Sequence, residues 1–307
     1  MTTATRELLV PVGRPRYEGA NIRTWVGFKH FMYLVEEALL AWFRDQGHPA
    51  GQVFHRYGLG LEVVDSSVLL PAVLDVDDEV QAEVSELRPG RFAVRLRVNR
   101  GDGADTVVLR GKVTVALVVE RDAAPTEPVP AELAGLVVPE VADERQDLLV
   151  GPGEEVGAVL TAAGSSGFLW SWRIPYFYCH FSDRIQHSAY VRALEEVVDR
   201  FLADRDRSVG RMLAERAWIP VVSRARVRML ADAHMEEVVH TTFTVTDVFK
   251  ATTYDARMDC YVRRGDRLVH TATARIMHGY ANSRGESAGR LAELDPDTIA
   301  ALTGVRP

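Results

Sequence analysis

Two stretches of the chain carry a helical apolar stripe. In "HFSDRIQHSAYVRALEEVVDRF", residues 180–201, Tyr190, Val191, Leu194, Val197, Val198 and Phe201 recur at i, i+1, i+4, i+7, i+8 and i+11. That is the spacing of one buried face on a helix. The segment reads as a strand end, a polar turn and a helix that begins near residue 186. In "GFKHFMYLVEEALLAWF", residues 27–43, Phe31, Leu34, Ala38, Leu39 and Trp42 mark a second such helix, beginning near residue 28. Each is followed by long runs rich in Val, Thr and aromatic residues. The runs are split by turn signals such as Arg-Pro-Gly (88–90) and Arg-Arg-Gly-Asp (263–266). The turns are too short for helical crossovers, so the strands are expected to be antiparallel.

The two patterns look like copies of one unit. His30 and His187 lie 157 residues apart, as do Tyr33 and Tyr190. The steps "DVDDEV" and "AHMEEV" fall in comparable places. Each half reads as a strand, a helix and about four strands. The expected organisation is an N-terminal unit over 1–120, a proline-rich linker over 121–167 with a short helix, a C-terminal unit over 168–285 and a tail over 286–307. An apolar-striped helix buries its stripe on a sheet, so the fold class is α+β: two antiparallel sheets, each wrapping a long central helix, joined edge to edge.

Composition narrows the function. The 307 residues are 47% hydrophobic and 26% charged, with net charge -7 and a pI near 5.8. No Lys/Arg block points to nucleic acid, and the overall sign opposes it. No apolar run reaches membrane-spanning length. Cys179 and Cys260 form neither a disulfide framework nor a metal knuckle, and the nine histidines show no ligand spacing. A cytoplasmic protein without metal or consumed cofactor is expected.

With its strand, turn and helix, "SDRIQHSAYVRALEE" resembles the hot-dog fold thioesterase superfamily, that of the 4-hydroxybenzoyl-CoA and acyl-ACP thioesterases. Asp183 matches the family's turn carboxylate, Gln186-His187 its polar pair, Tyr190 its tyrosine and Glu195-Glu196 its acidic pair. The resemblance covers both halves and implies a double hot dog: a fused pseudo-dimer, alone or as a homodimer of it, with the thioester of an acyl-CoA or acyl carrier protein lying between the units. It implies Asp183 as base or nucleophile, with His187 and the helix-borne Glu195 as further catalytic groups. Gln186, Tyr190, His30 and Tyr33 would border the substrate. A hot-dog dehydratase, or another tailoring enzyme of polyketide or fatty-acid thioesters with His30 or His187 as base, is the second reading. A non-catalytic thioester-binding module is the third.

The residues themselves leave bland roles open. Asp183 also suits a helix cap, Tyr33 and Tyr190 fall on apolar stripes, and helix glutamates are commonly solvated. In "SRARVRML", Arg224, Arg226 and Arg228 share one strand face. Arg226 would meet a coenzyme A phosphate or an acidic carrier protein, or simply face water. At the 157-residue offset Asp183 corresponds to Val26, so one working site is expected, with its carboxylate in the second copy.

Overall fold

The computed structural model describes residues 7–101, 105–161 and 167–304. The first six residues of the expected N-terminal unit, part of the expected linker and the last three residues of the tail lie outside that range.

In the first half the chain forms β1 (Glu7–Gly13), α1 (Phe28–Asp45), α2 (Ala50–Tyr57), β2 (Leu59–Leu69), β3 (Val80–Arg88), β4 (Arg91–Asn99) and β5 (Asp105–Val119). The second half repeats this order with β6 (Phe168–Arg173), α3 (His187–Asp204), α4 (Val209–Arg216), β7 (Trp218–Met229), β8 (Val238–Phe249), β9 (Thr253–Arg264) and β10 (Arg267–Asn282). A last helix, α5 (Pro296–Thr303), closes the chain. The ten long strands run in the order β1-β3-β4-β5-β2-β7-β10-β9-β8-β6, and two-residue strands bring the sheet to twelve. Every pairing between the long strands is antiparallel. The halves meet where β2 pairs with β7, so the two expected sheets are one continuous sheet.

The repeat runs at 159 residues, not 157. The helices α1 and α3 have 18 residues each and start at Phe28 and His187, and α2 and α4 start at Ala50 and Val209. Across the central strand pair Ser67 faces Arg226, its own equivalent at that offset, and Val68–Ala225 and Ser66–Val227 flank it symmetrically. The pseudo-two-fold axis therefore passes through that pair. Matching the His-x-x-Tyr letters had displaced one helix by two residues. At about 100° per residue that turns a helix face roughly 200°, nearly to the opposite side. Glu36 and Glu195 become equivalents, Asp183 corresponds to Thr24 and His187 to Phe28.

Both long helices bury a broad apolar face. Phe31, Val35, Leu39 and Phe43 of α1 and Tyr190, Leu194, Val197 and Phe201 of α3 are buried in one core. Asp199 on α3 is exposed, as its place on the stripe requires. Neither helix has a side-chain cap: Gly27 and Gln186 stand at the N-cap positions without a capping bond. Their first-turn amides therefore need partners from elsewhere.

The segment joining the halves has more structure than a linker with one helix. It holds two short helices, Ala131–Ala134 and Val156–Leu160. Val137–Val138 pairs with β5 and Leu148–Leu149 with β10. Val141 and Val150, set among its prolines, are buried and anchor it. The C-terminal segment likewise belongs to the second unit, because Leu294 and Leu302 lie in the core. Among the described residues no helix is long and apolar enough to cross a membrane.

Candidate active site

A cavity of about 1000 Å³ opens between the two halves. One end is polar, bounded by Asn21, Lys29, Tyr33, Arg192 and Glu195. From there it follows α3 past Val198 to Leu202 and crosses Val222 of β7 and Ile276 of β10.

The polar end is built by the N-terminus of α1 and the middle of α3. Glu195 Oε1 accepts the Lys29 backbone N–H at 2.7 Å. Its Oε2 lies 3.9 Å from Lys29 Nζ, which also reaches Glu18 at 3.8 Å. A carboxylate from the second half thus takes the place of the missing cap on the helix of the first, where the helix dipole favours negative charge. Burial raises the pKa of Glu195, and the Lys29 amide and ammonium oppose that rise. About a quarter of the side chain, 24%, remains accessible. Gly27 leaves room for the Asn21 side chain beside this helix start. A Cβ there would fall 2.4 Å from Asn21 Nδ2 and 3.5 Å from Glu195 Oε1. Beside Glu195, Arg192 bonds the Tyr33 hydroxyl and stands over the Tyr33 and Tyr178 rings, 5.3 and 5.0 Å from their centroids.

The equivalent place in the other half is filled by protein. The His187 backbone N–H at the start of α3 donates to Glu62 Oε1 at 3.1 Å. His187 Nε2 lies 3.0 Å from Ser66 Oγ. Glu62 and His187 are both fully buried. Burial pushes Glu62 up to about 8 and His187 down to about 4. Glu36, the counterpart of Glu195, is also pushed up to about 8 by burial, against the pull of Arg192. Next to this cluster a buried Arg184–Glu120 pair is joined by Ser182. A strand carboxylate, Glu62, takes the His187 amide, the counterpart of the Phe28 amide at the start of α1.

The sequence candidates separate accordingly. Glu195 and Tyr33 line the cavity. Asp183 lies outside its lining, on the exposed turn before α3, with its carboxylate 3.6 Å from Arg121 and 3.3 Å from His234. It does not cap the helix, since Gln186 holds that position and bonds Phe177 O instead. His187 is sealed in the Glu62–Ser66 cluster. His30 is buried against Gly19 and Tyr33, with its pKa lowered by burial. Tyr190 is fully buried in the core. Arg226 lies at the sheet centre, where Nε and Nη2 hold Asp65 at 3.0 and 2.8 Å. Lys29, Asn21 and Gly27 were missed. The one sequence signal for them was the pair of Glu-Glu steps, 36–37 and 195–196, which carry the 159-residue offset and so set the two helix starts in register.

Residues 171–302 match the model of the thioesterase-like superfamily. No curated protein matches the chain. Among solved structures, the 12:0-ACP thioesterase of Umbellularia californica is similar in fold. It is 11% identical, with a TM-score of 0.57 over 90% of this chain and 94% of that one. A Lactobacillus plantarum protein assigned as an oleoyl thioesterase is 12% identical, with a TM-score of 0.57 over 91% and 97%. An acyl-ACP thioesterase of Bacteroides thetaiotaomicron is 8% identical, with a TM-score of 0.51 over 89% and 97%. Shared across nearly their whole lengths, this architecture of two helices on one continuous sheet is that of a tandem double hot dog, and the match to the thioesterase-like superfamily lies in its second half.

Proposed function

We propose that the chain hydrolyses an acyl thioester carried by coenzyme A or an acyl carrier protein, with Glu195 as the working carboxylate. The observation that supports this most directly is the position of Glu195: in the lining of a cavity of about 1000 Å³, against the N-terminus of α1 from the other half. Thioester hydrolysis needs a base or nucleophile and donors for the charge that develops on the carbonyl oxygen. Glu195 supplies the first. The Phe28 amide at the start of α1 supplies the second, because first-turn N–H groups have no acceptor within the helix and the neighbouring Lys29 amide is already held by Glu195. Water attacks the carbonyl with Glu195 taking its proton, or Glu195 attacks and water releases the acyl group; the thiol leaves in either case. The solved thioesterases of similar fold lend support to a carrier-bound acyl substrate.

This reading moves the carboxylate from the turn to the helix but keeps it in the second half, with the first half supplying wall and donors. It favours hydrolysis over the dehydration expected with His30 or His187 as base, because both lie outside the cavity lining.

The test is steady-state thiol release from a panel of acyl-CoA and acyl-carrier thioesters, with product mass recorded. Glu195→Gln keeps the shape and removes the base, so kcat/KM is expected to fall by about 10²-fold or more. Asp183→Asn is expected to stay within about threefold of wild type, since it only alters a rim ion pair. A collapse in Asp183→Asn with Glu195→Gln unaffected would return the chemistry to the turn. Loss of water from the acyl group without thiol release would replace hydrolysis by dehydration.

A further inference from the structure

Beyond Glu195 the cavity wall is mainly apolar: Val198, Leu202, Val222 and Ile276 are typical of it. Asp199 and Ser223 also line it but are exposed, whereas one polar lining residue is buried. His278, on β10, lines the same cavity. It sits in register with Val222 on one side and Tyr254 on the other. The ring is 3% exposed, and its Nδ1 has no hydrogen-bond partner among the described residues. Two phenols stand behind it. The Tyr254 and Tyr280 rings lie 5.1 and 5.9 Å from His278, centroid to centroid, and both of their hydroxyls are buried without a partner among the described residues as well. Buried polar groups nearly always find hydrogen bonds, so an imidazole on a cavity wall with an unpartnered nitrogen calls for an explanation. An unbranched hydrocarbon would be held better there by leucine or phenylalanine than by an imidazole.

Resting on the thioesterase reading of the site, we propose that His278 is a specificity residue that binds an uncharged hydroxyl borne by the acyl group away from its thioester. The substrate class is then a hydroxylated acyl or aryl-acyl thioester rather than a plain fatty acyl one. The choice of hydroxyl follows from the chemistry of the ring. Burial holds His278 down at about 4, so near neutral pH it is uncharged and offers one N–H and one lone pair. A hydroxyl both gives and accepts a hydrogen bond and matches either tautomer. A carboxylate would bring a charge into a mainly apolar wall at a cost in desolvation.

The test uses matched pairs of coenzyme A thioesters: straight-chain acyl groups of graded length with and without an ω-hydroxyl, and phenylacetyl with and without a 4-hydroxyl. Two quantities are read for each pair. One is the ratio of kcat/KM, hydroxylated over plain, on wild type. The other is the ratio of affinities measured by calorimetry on Glu195→Gln. In at least one pair both ratios are expected to favour the hydroxylated member by about tenfold or more, since a site built to bond a hydroxyl rejects the analogue that lacks it. In His278→Phe the kcat/KM ratio for that pair is expected to fall to one or below. Ratios at or below one in every pair overturn the proposal, even while hydrolysis itself stands. A tenfold affinity preference without thiol release keeps His278 as a hydroxyl reader and removes the hydrolase reading. Failure of every thioester to bind removes both. The wild-type ratios decide the matter even if His278→Phe does not fold.

Discussion

At the scale of single residues, Glu195 and Glu62 show how similar carboxylates differ by surroundings. Each accepts an amide at the start of a long helix, but Glu195 has Lys29 beside it and an open cavity, whereas Glu62 is sealed. Lys29 holds the Glu195 pKa down against burial. Removing that cation should therefore raise it further. In Lys29→Met the acid limb of the kcat/KM profile is expected to move to higher pH, with the loss of activity greatest on the acid side and least where Glu195 is fully ionised. A limb that stays put or moves down would mean that another group sets it. Residues of this kind were only partly legible in the sequence. Glu195 was visible as part of an acidic pair on a striped helix. Asp183 was visible too, and it suited the turn, but whether a turn carboxylate faces a cavity or an arginine depends on Arg121 and His234, which reach it from distant parts of the chain. The Lys29 amide carried no signal, because a backbone N–H is the same at every residue and only the fold selects which one meets a carboxylate.

At the scale of elements, both helices and the strand runs that follow them could be read from periodicity, because each buries one face and exposes the other. The short helices α2 and α4 were not read; each has only eight residues and ends in a left-handed residue, Gly58 in one and Ala217 in the other. The start of α3 carries a further consequence. Glu62, bonded there to His187 N–H, is pushed up to about 8, while the unfolded chain returns it to the ordinary carboxylate range. Between those values the folded state holds a proton that the unfolded state has released, so stability falls as pH rises through that window. Glu62→Gln keeps the acceptor and removes the ionisation. Its melting temperature relative to wild type is expected to be least favourable near pH 4.5 and to improve steadily towards pH 8. The gain would be about 1.5 °C for each kcal/mol of relief. A difference that is flat across that range would show that Glu62 keeps the same protonation state folded and unfolded.

At the scale of the whole molecule, the central β2–β7 pair joins the two units into one sheet. Because one chain supplies both, their association is intramolecular and free of mass action. The melting temperature is expected to stay constant over a hundredfold dilution. A fall on dilution would reveal a second copy contributing to the fold. The axis itself carries the mark of the fusion. In a symmetric pair, each residue on the axis meets its own copy. Here Tyr33 meets Arg192, 159 residues on, and Ser67 faces Arg226. Two copies of the second half, brought together the same way, would set guanidinium against guanidinium at the helix contact and again on the sheet. Two copies of the first would set phenol against phenol and leave Asp65 without the arginine it holds. Self-recognition has been given up on both sides of the axis, and each half is now shaped to the other alone.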